Sequence, residues 1–440
     1  MNQGHRQTSR WSGMKKWLRE HKFLLVILAL FTVYYFGTLH TVPFHPDEST
    51  QIYMSQDVKE ILTDPLKMAW IPGQAPSPET RLRKLDAPLT RYLIGSGRIL
   101  SGTQGVDSNW DWAKTWQENR DQGAFPSPRT LWVSRASITL LLPISLVFFY
   151  QFLTHISHKT IGLFGVLLLG SHPLVLLHAR RAMAEGTILF GVCFFLFTLL
   201  YRKQHPWLVG FAFGIAYNAK QSTLALLPAG IIAVSLVPKI RQNLSKLIKN
   251  ILPFIGASTI VTYILNPIIW KAPIRALIES WQTRFAFTTQ QIKTISAQAP
   301  HRILDSFPER LLSLINNLYL NQPSIADVGN YITHTQQAQD TYFRLPFTTL
   351  GRGFIWGGLY LTLTLAGMVY LIANFSSRNH FKRNSLILLL LSAGAQTAAL
   401  LIAVPLTWQR YVIPVIPYMV ISISLGLSPI QSQLLKYRSS

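Results

Sequence analysis

The chain has 440 residues, of which 49% are hydrophobic and only 13% are charged, and its net charge is +23. A soluble domain carries roughly 25% charged residues, so the composition argues against a soluble protein. A charge of this sign favours nucleic acid only in a soluble protein. Here the basic residues lie in short segments between apolar runs, so no nucleic-acid partner is expected. The single cysteine, Cys193, lies in an apolar run and excludes a disulfide framework.

Apolar runs long enough to cross a bilayer recur along the chain. A helix of about 20 apolar residues spans the hydrocarbon layer. The runs that contain no Asp, Glu or Lys are 23–39, 131–152, 161–177, 354–373, 386–404 and 412–427. Together with shorter runs they predict an all-α polytopic membrane protein of about ten transmembrane helices, forming a single domain over residues 1–440. No cleavage site of small residues follows the first run, so we expect it to remain as an anchor.

The basic residues predict the orientation. Residues 1–22 form a basic tail, and counting spans alternately from it places the basic segments 155–159, 202–203, 239–249, 378–383 and 436–438 on the same side. The positive-inside rule therefore predicts that both termini are cytoplasmic.

The acidic residues fall almost entirely on the opposite side. Of the 18 acids, eleven lie in residues 41–129, five in 271–350 and one is Glu185, while Glu20 alone is on the cytoplasmic side. The segments 41–129 and 271–350 are predicted to be two large extracytoplasmic loops that carry amphipathic helices, at 49–62, 89–100 and 310–320. Polar chemistry is therefore expected outside the cytoplasm.

The first candidate for chemistry is the pair Asp47-Glu48, directly after the first apolar run. Low local dielectric and a neighbouring like charge both raise a carboxylate pKa toward the working range of a general base. The alternative interpretation is that Asp47 or Ser49 caps the following helix. The motif alone does not separate these two roles.

The second candidate is Asp86, in the segment Asp86-Ala87-Pro88-Leu89 of the first loop. Its alternative role is that of a helix N-cap with Pro88 in the first turn. Standing alone, this segment is a weak signal.

Four cations complete the candidate site. Arg180 and Arg181 lie in a short extracytoplasmic loop, against the positive-inside bias, and arginine binds phosphate oxygens bidentately. Lys220 lies in a polar turn, 218–223, between two short apolar runs, as expected of a broken helix that lines a cavity. Arg410 precedes Tyr411 before the last run. The alternatives are a salt bridge from an arginine to Glu185, or contacts with lipid headgroups.

In order and sidedness these motifs resemble the dolichyl-phosphate-mannose protein mannosyltransferase superfamily and bacterial relatives such as the lipid A aminoarabinose transferases. These are membrane glycosyltransferases of the C-type (GT-C) fold that use polyprenyl-phosphate sugars. The segments that carry the resemblance are Asp47-Glu48, 86–89, 180–185, Lys220, Asn266-Pro267 and 408–414.

The resemblance implies a role for each candidate residue. Asp47 would be the catalytic base, and Glu48 and Asp86 would position the acceptor or a metal. The lipid phosphate would be held by Arg180, Arg181, Lys220 and Arg410, with Tyr411 in the same segment. The chain departs from the family at 86–88, where His-Pro-Pro or Glu-Lys-Pro is common, and at Glu185, where an Asp is commoner. A divalent metal is compatible with the resemblance and is not required by it.

The sequence thus predicts a glycosyltransferase that moves a hexose or pentose from a polyprenyl-phosphate donor to a protein, lipid or glycan acceptor. The enzyme would lie in the bacterial inner membrane and act on its extracytoplasmic face. The alternative functions are a lipid-linked glycan flippase or transporter, or a polymer ligase. Because the predicted spans lack Asp and Glu, a proton- or sodium-coupled carrier is disfavoured.

Overall fold

The computed structural model describes residues 19–202, 204–236, 244–326, 331–373 and 380–427. Most of the predicted basic tail, residues 203, 378 and 379 and the segment 436–438 lie outside these ranges, as does part of 239–249. The described residues contain α-helices, short 3-10 and π turns, and one isolated antiparallel bridge between Ile303 and Leu406.

The first half of the chain forms eleven α-helices within the described residues. They are α1 (Lys22–Gly37), α2 (Pro46–Met54), α3 (Asp57–Thr63), α4 (Pro78–Leu85), α5 (Leu89–Ser101), α6 (Trp116–Asp121), α7 (Pro128–Thr139), α8 (Leu141–Ile156), α9 (Lys159–Ser171), α10 (Pro173–His178) and α11 (Ala184–Thr198). The predicted amphipathic helices at 49–62 and 89–100 are confirmed, the first as α2 and α3 and the second as α5.

The second half continues with nine α-helices in the described part of the chain. They are α12 (Pro206–Ala219), α13 (Leu227–Ser235), α14 (Leu244–Leu265), α15 (Pro273–Gln298), α16 (Phe307–Ile315), α17 (Gln336–Phe343), α18 (Phe354–Ala373), α19 (His380–Ala403) and α20 (Ile416–Gly426). The predicted helix at 310–320 is confirmed as α16 and the π turn Asn316–Leu320 that extends it.

Five stretches of helix are long and apolar enough to cross a membrane: Pro128–Ile156, Ala184–Tyr201, Leu244–Leu265, Phe354–Ala373 and Arg383–Ala403. Three apolar helices are shorter, at Lys22–Gly37, Lys159–Ser171 and Gln221–Ser235. The chain is therefore an integral membrane protein. The predicted count of ten spans is not confirmed.

Small residues bring the apolar helices into close contact. The largest apolar core runs through α8, α9, α11, α12 and α20. Where α12 packs on α14, a Cβ placed on Gly210 would overlap the carbonyl oxygen of Phe254, so only glycine fits there. Such small residues are typical of helix pairs in lipid, where close backbone approach replaces the hydrophobic driving force. This contact fixes how α12 is turned about its axis.

Buried ion pairs hold together the helices between α1 and α7. The Asp57 carboxylate of α3 is fully buried and pairs with Arg83 of α4 at 2.7 Å and with Arg91 of α5 at 2.9 Å. Removing either partner of such a pair leaves a buried charge without compensation, which is strongly destabilising. These contacts fix the loop between α4 and α5, which carries Asp86.

Candidate active site at the ends of the apolar helices

Asp47 lies in the first turn of α2 with its side chain 31% exposed. The His45 ring, and not Asp47 or Ser49, caps this helix: Nδ1 of His45 accepts a hydrogen bond from the Asp47 amide at 3.1 Å. The Asp47 carboxylate instead accepts a hydrogen bond from the Arg410 guanidinium. The capping alternative for Asp47 is thus wrong, and its carboxylate is directed at a cation from the far end of the chain.

Glu48, the next residue, is fully buried and has a different role. Arg135 donates two hydrogen bonds of 2.7 Å to the two carboxylate oxygens, and the amides of Ala182 and His45 donate at 2.9 and 3.0 Å. Burial by itself raises the pKa of Glu48, but the paired Arg135 outweighs it, so the pKa lies below its usual value. Glu48 ties α2 to α7 and to the chain before α11.

Lys220 lies where α12 breaks. The helix ends at Ala219, Lys220 is extended (φ −162°, ψ 134°), and the 3-10 turn Gln221–Leu226 follows. This break agrees with the turn predicted from the sequence. Because the backbone is extended, the lysine leaves the helix axis, and its Nζ lies 3.0 Å from Oε1 of Glu185 in the first turn of α11.

Tyr411 lies beside both cations. It lies with Arg410 on the 3-10 turn Gln409–Val415. The ring centre of Tyr411 lies 5.2 Å from Nζ of Lys220 and 5.9 Å from Cζ of Arg410. The Trp408 ring stacks on Tyr411 at 5.6 Å and lies 5.0 Å from the same Arg410 carbon. Cation–π attraction of this kind holds both positive groups on one aromatic surface.

Asp86 is not the N-cap of a helix either. It follows the last residue of α4 in an extended conformation, and α5 begins at Leu89 with Pro88 as its N-cap. Arg91 donates a hydrogen bond of 3.1 Å to the Asp86 carbonyl. The backbone of Asp86 is therefore held in place by a residue that is itself anchored in the buried ion pair of α3.

The Asp86 carboxylate lies within electrostatic range of Asp47 and Lys220, one member of each pair already described. Burial raises its pKa, the charge of Arg284 on α15 opposes this, and the charge of Asp47 raises the pKa further. Lys220 acts on it as well. Among the described residues, no hydrogen bond to the Asp86 carboxylate is present. We call the following residues the charged cluster: Asp47, Asp86, Glu185, Lys220, Arg284 and Arg410.

The cluster balances three carboxylates against three cations from six separate segments. Charges that leave water need such compensation. Arg284 was not predicted as a site residue. The sequence feature that could have indicated Arg284 is its helical spacing. It lies on one face of α15 with Leu277, Ser280 and Trp281, which precede it by seven, four and three residues.

Arg180 does not reach the charged cluster. It is fully buried, its Nε donates to the Leu176 carbonyl at 2.6 Å, and its Nη1 donates to the Thr38 hydroxyl. Three aromatic rings surround the guanidinium with centres 5.4–5.6 Å from Cζ, those of Tyr34, Tyr35 and Tyr342. This placement differs from the phosphate contact expected for Arg180.

Arg181 is buried against backbone. Its Nη2 donates to the carbonyls of Ile325 at 2.7 Å and Pro43 at 3.3 Å, and its charge acts on Glu48. Four cations were predicted to bind the phosphate. The structure brings two of them, Lys220 and Arg410, together, and it places Arg180 and Arg181 elsewhere. Adjacent residues on a tight turn point in different directions, which the count of charges in a loop does not reveal.

The metal question concerns the same carboxylates. Within the ranges that the structure describes, no three or more His, Cys, Asp or Glu side chains converge as a metal site. Asp47 and Glu185 are instead each paired with a cation.

Comparison with known proteins rests on structure. No protein-family model and no curated protein sequence matches the chain. The crystal structure of the Archaeoglobus fulgidus oligosaccharyltransferase with zinc and sulfate matches with a TM-score of 0.52 and 14% identity, over 93% of this chain and 49% of that one. Its apo form matches with a TM-score of 0.51 and 12% identity, over 95% and 51%.

A further match is the S. cerevisiae protein O-mannosyltransferase Pmt1–Pmt2 complex bound to the sugar donor. Its TM-score is 0.37 at 12% identity, over 58% of this chain and 34% of that one, which is too low to support an argument. The chain spans about half the length of the oligosaccharyltransferase chains it matches. The likeness over nearly the whole of this chain shows that it is a membrane protein with the C-type glycosyltransferase fold.

Proposed function

We propose that this protein transfers a sugar from a polyprenyl-phosphate donor to a protein, lipid or glycan acceptor on the extracytoplasmic face of the bacterial inner membrane, with both termini cytoplasmic. One observation carries the proposal: the cations of the Asp47–Arg410 and Lys220–Glu185 pairs both lie within 6 Å of the centre of the Tyr411 ring, at 5.9 and 5.2 Å. This arrangement offers a base and two phosphate-binding cations at the ends of apolar helices, where a lipid carrier delivers its phosphate.

Lys220 and Arg410 are the proposed phosphate ligands. Both side chains are partly exposed. Each is paired with a carboxylate, and a phosphate can take the place of that carboxylate beside the cation. Arginine offers a planar fork of donors and lysine a compact charge, and both bind phosphate oxygens. Both cations lie against the ring of Tyr411, so that each can approach a different oxygen of one phosphate.

Asp47 is the proposed base. The acceptor oxygen forms a bond to the anomeric carbon as its proton passes to the Asp47 carboxylate. The bond between the anomeric carbon and the phosphate oxygen breaks, and its electron pair stays on the leaving polyprenyl phosphate. Lys220 and Arg410 stabilise the negative charge that develops on that phosphate. The leaving group needs no proton, so one base is enough.

The other predicted residues support Asp47, Lys220 and Arg410. We assign Glu48 and Arg181 to positioning, because both hold the backbone around α2 in place. Arg180 anchors the chain between α10 and α11, because its guanidinium bonds to the backbone of α10 and packs against the surrounding rings. Asp86, the third carboxylate of the charged cluster, is assigned to contacts with the substrate.

The test is sugar transfer by the purified protein in nanodiscs, with radiolabelled polyprenyl-phosphate hexoses and pentoses and a membrane extract as the source of acceptors. Asp47→Asn retains size and can still accept a hydrogen bond from Arg410. We expect the transfer rate to fall by about 10²–10⁴-fold, the usual effect of losing a general base. The matched control is Asp64→Asn, which removes an exposed carboxylate paired with Lys67 and should leave the rate unchanged. Transfer at the full rate by Asp47→Asn would remove Asp47 as the base.

A further inference from the structure

An open groove runs between α4 and α15. It has about 640 Å³ of free space, within the range of roughly 300–1,000 Å³ that is usual for ligand sites. One wall consists of residues 73–76 with Arg81 and Lys84, and the other is formed by α15 from Glu279 to Gln290. The proposed base and the proposed phosphate ligands do not line this groove, so the proposed mechanism leaves its space for another ligand.

A buried lysine lines the groove. The side chain of Lys84 is only 5% exposed, and its Nζ lies 4.2 Å from the centre of the Trp70 ring. The Trp70 amide donates a hydrogen bond of 3.1 Å to the Ile268 carbonyl, which holds this residue in place. An ammonium group has three donors, and within the described residues Lys84 uses one of them, in a hydrogen bond of 3.4 Å to Glu279. Two donors therefore remain for an anionic group that enters the groove.

Other polar side chains of the groove have no partner. In the part of the chain that the structure describes, the side chains of Arg81, Gln74, Thr283 and Gln290 make no hydrogen bond or ion pair. Arg81 adds a second cation to the lining, whose one carboxylate among these described residues is that of Glu279. The lining is therefore net positive and favours an anionic ligand.

One end of the groove lies beside the charged cluster. Lys84 precedes Asp86 by two residues, and Thr283 is the neighbour of Arg284 on α15. Consecutive Cα atoms are 3.8 Å apart, so the Cα atoms of Lys84 and Asp86 are separated by at most about 7.6 Å. A ligand that fills the groove can therefore extend to the charged cluster, where the proposed transfer takes place.

The two faces of α15 indicate the side from which the groove is entered. Ile274, Ile278 and Phe285 lie on one face and are 52–76% exposed. Thr283 follows Ile274 by nine residues, and Phe287 follows Ile278 by nine, which is two and a half helical turns and therefore the opposite face. An exposed apolar face directly after the membrane helix α14 suits lipid, so the groove opens away from the bilayer. A ligand that arrives from water is favoured over a lipid headgroup.

The same lining suits a peptide. Residues 74–77 are exposed and lie outside helices, and within the described residues the amide and carbonyl of Ala75 make no backbone hydrogen bond. A peptide can pair its own main-chain groups with such a segment. Phe287 and Ala286 offer contacts to apolar side chains of the peptide, and the two cations offer contacts to acidic ones.

We propose that this groove binds the acceptor and that the acceptor is an acidic peptide segment. The inference rests on the proposed function and names its acceptor. A carboxylate of the peptide binds to Lys84 and Arg81, and a peptide hydroxyl nearby in the chain reaches the charged cluster. That hydroxyl gives its proton to Asp47 as its oxygen bonds to the anomeric carbon, and the polyprenyl phosphate leaves with the electron pair.

The experiment measures the fluorescence anisotropy of a labelled nine-residue peptide, in which Asp and Leu alternate around a central Ser, with the full chain in phosphatidylcholine nanodiscs. A second peptide carries Asn at every Asp position. We expect wild type to bind the acidic peptide about tenfold more tightly than the neutral one. The net charge of +23 attracts any anion, so this preference does not locate the site, and the variants decide.

The variants act in opposite directions. Lys84→Gln should weaken binding of the acidic peptide about tenfold or more, because a buried charged contact is lost. Arg81→Gln, at a more exposed position, should weaken it about threefold. Glu279→Gln should strengthen it about threefold, because the carboxylate that competes for Lys84 is removed. The matched control, Arg120→Gln, removes an exposed arginine of α6 and should change nothing.

Two further probes represent the other possible occupants. Glycerol phosphate stands for a lipid headgroup, and a uronic acid oligosaccharide stands for an acidic glycan. If either one binds with a dependence on Lys84 and Arg81 that the acidic peptide lacks, the inference is overturned. It is also overturned if Lys84→Gln and Arg120→Gln weaken the acidic peptide equally, or if Glu279→Gln weakens it.

Sugar transfer separates this inference from the proposed function. With the acidic peptide as acceptor, Lys84→Gln should raise KM for the peptide and leave KM for the donor unchanged. Wild-type protein that transfers sugar to no acceptor of the membrane extract overturns the proposed function, whatever the result of peptide binding. Transfer to the extract, combined with peptide binding that does not respond to the groove variants, overturns this inference alone.

Discussion

Two neighbouring ion pairs of α2 have different surroundings. Glu48 and Arg135 are both buried, and the Glu48 oxygens accept four hydrogen bonds. Asp47 and Arg410 are paired too, but the aspartate is partly exposed and its carboxylate is not enclosed by backbone donors. Consecutive residues of one helical turn thus belong to a buried scaffold and to an accessible site.

The difference shows what a buried pair and an accessible pair can do. A buried pair is costly to break, because the remaining charge has neither partner nor water. An accessible pair in higher dielectric contributes little to stability, typically 0–1 kcal/mol, so its members can exchange a carboxylate for a phosphate at small cost. The Glu48–Arg135 pair holds the backbone, and the Asp47–Arg410 pair remains available to a ligand.

The largest effect expected is on the buried pair. Glu48→Gln should lower the free energy of unfolding by about 3–5 kcal/mol, because Arg135 keeps its charge and loses its counterion. Asp47→Asn, one residue away, should lower it by less than about 1 kcal/mol. Denaturant unfolding in detergent compares the two variants. Equal losses would contradict the distinction between scaffold and site.

The next effect concerns Lys220, the partly exposed cation directly after α12. Lys220→Met removes a proposed phosphate ligand worth about 1.5–3 kcal/mol, so KM for the donor should rise roughly 10- to 100-fold. Lys220→Arg should recover part of the affinity. The control, Lys67→Met, removes an exposed lysine on another turn. An unchanged KM in Lys220→Met would place the phosphate elsewhere.

Arg180 tests the same comparison from the buried side. Arg180→Lys keeps the charge but loses the planar contacts with the rings that surround it, at a cost of about 1–2 kcal/mol in stability. KM for the donor should not change, because the guanidinium contacts the Leu176 carbonyl, the Thr38 hydroxyl and these rings and no residue of the charged cluster among the described contacts. A rise in KM without loss of stability would return Arg180 to the phosphate site.

The smallest effect is one of pH. Burial raises the folded-state pKa of Asp86 above its unfolded value, so the folded protein holds this proton more tightly and loses stability as pH rises through that window. Asp86→Asn carries no such charge, so it should gain stability relative to wild type on going from about pH 3.5 to about pH 7. Thermal unfolding across this range measures the difference. A difference between variant and wild type that does not change with pH would show that Asp86 is not penalised by burial.

Much of the membrane architecture followed from apolar runs, but the number of spans did not. The run at 161–177 is continuous in hydropathy, yet His172 is extended and Pro173 starts a new helix, so α9 and α10 are separate and short. A window of hydropathy measures how much of the chain is apolar. It does not measure the length of an unbroken helix.

The site was predictable where the backbone itself gave the signal. The polar turn at Lys220 interrupts an apolar helix, and Asp47 opens a helix directly after an apolar run, so both could be found from the sequence. Arg180 and Arg181 looked equivalent because charge in a loop carries no direction. Arg284 was missed because Asp86, the carboxylate on which its charge acts, is nearly 200 residues away in the chain. Only the packing of α15 brings the two within electrostatic range.

The tight contact of Gly210 with Phe254 has a consequence for the length of α12. This contact fixes the rotational phase of the helix at one end, and Lys220 leaves it at the other. Each inserted or deleted residue turns an α-helix by about 100° and shifts it by about 1.5 Å. A one-residue insertion between Gly210 and Lys220 would turn Lys220 away from Glu185, although the chain would keep all of its apolar residues. The spacing between them is therefore under as tight a constraint as the identity of the lysine.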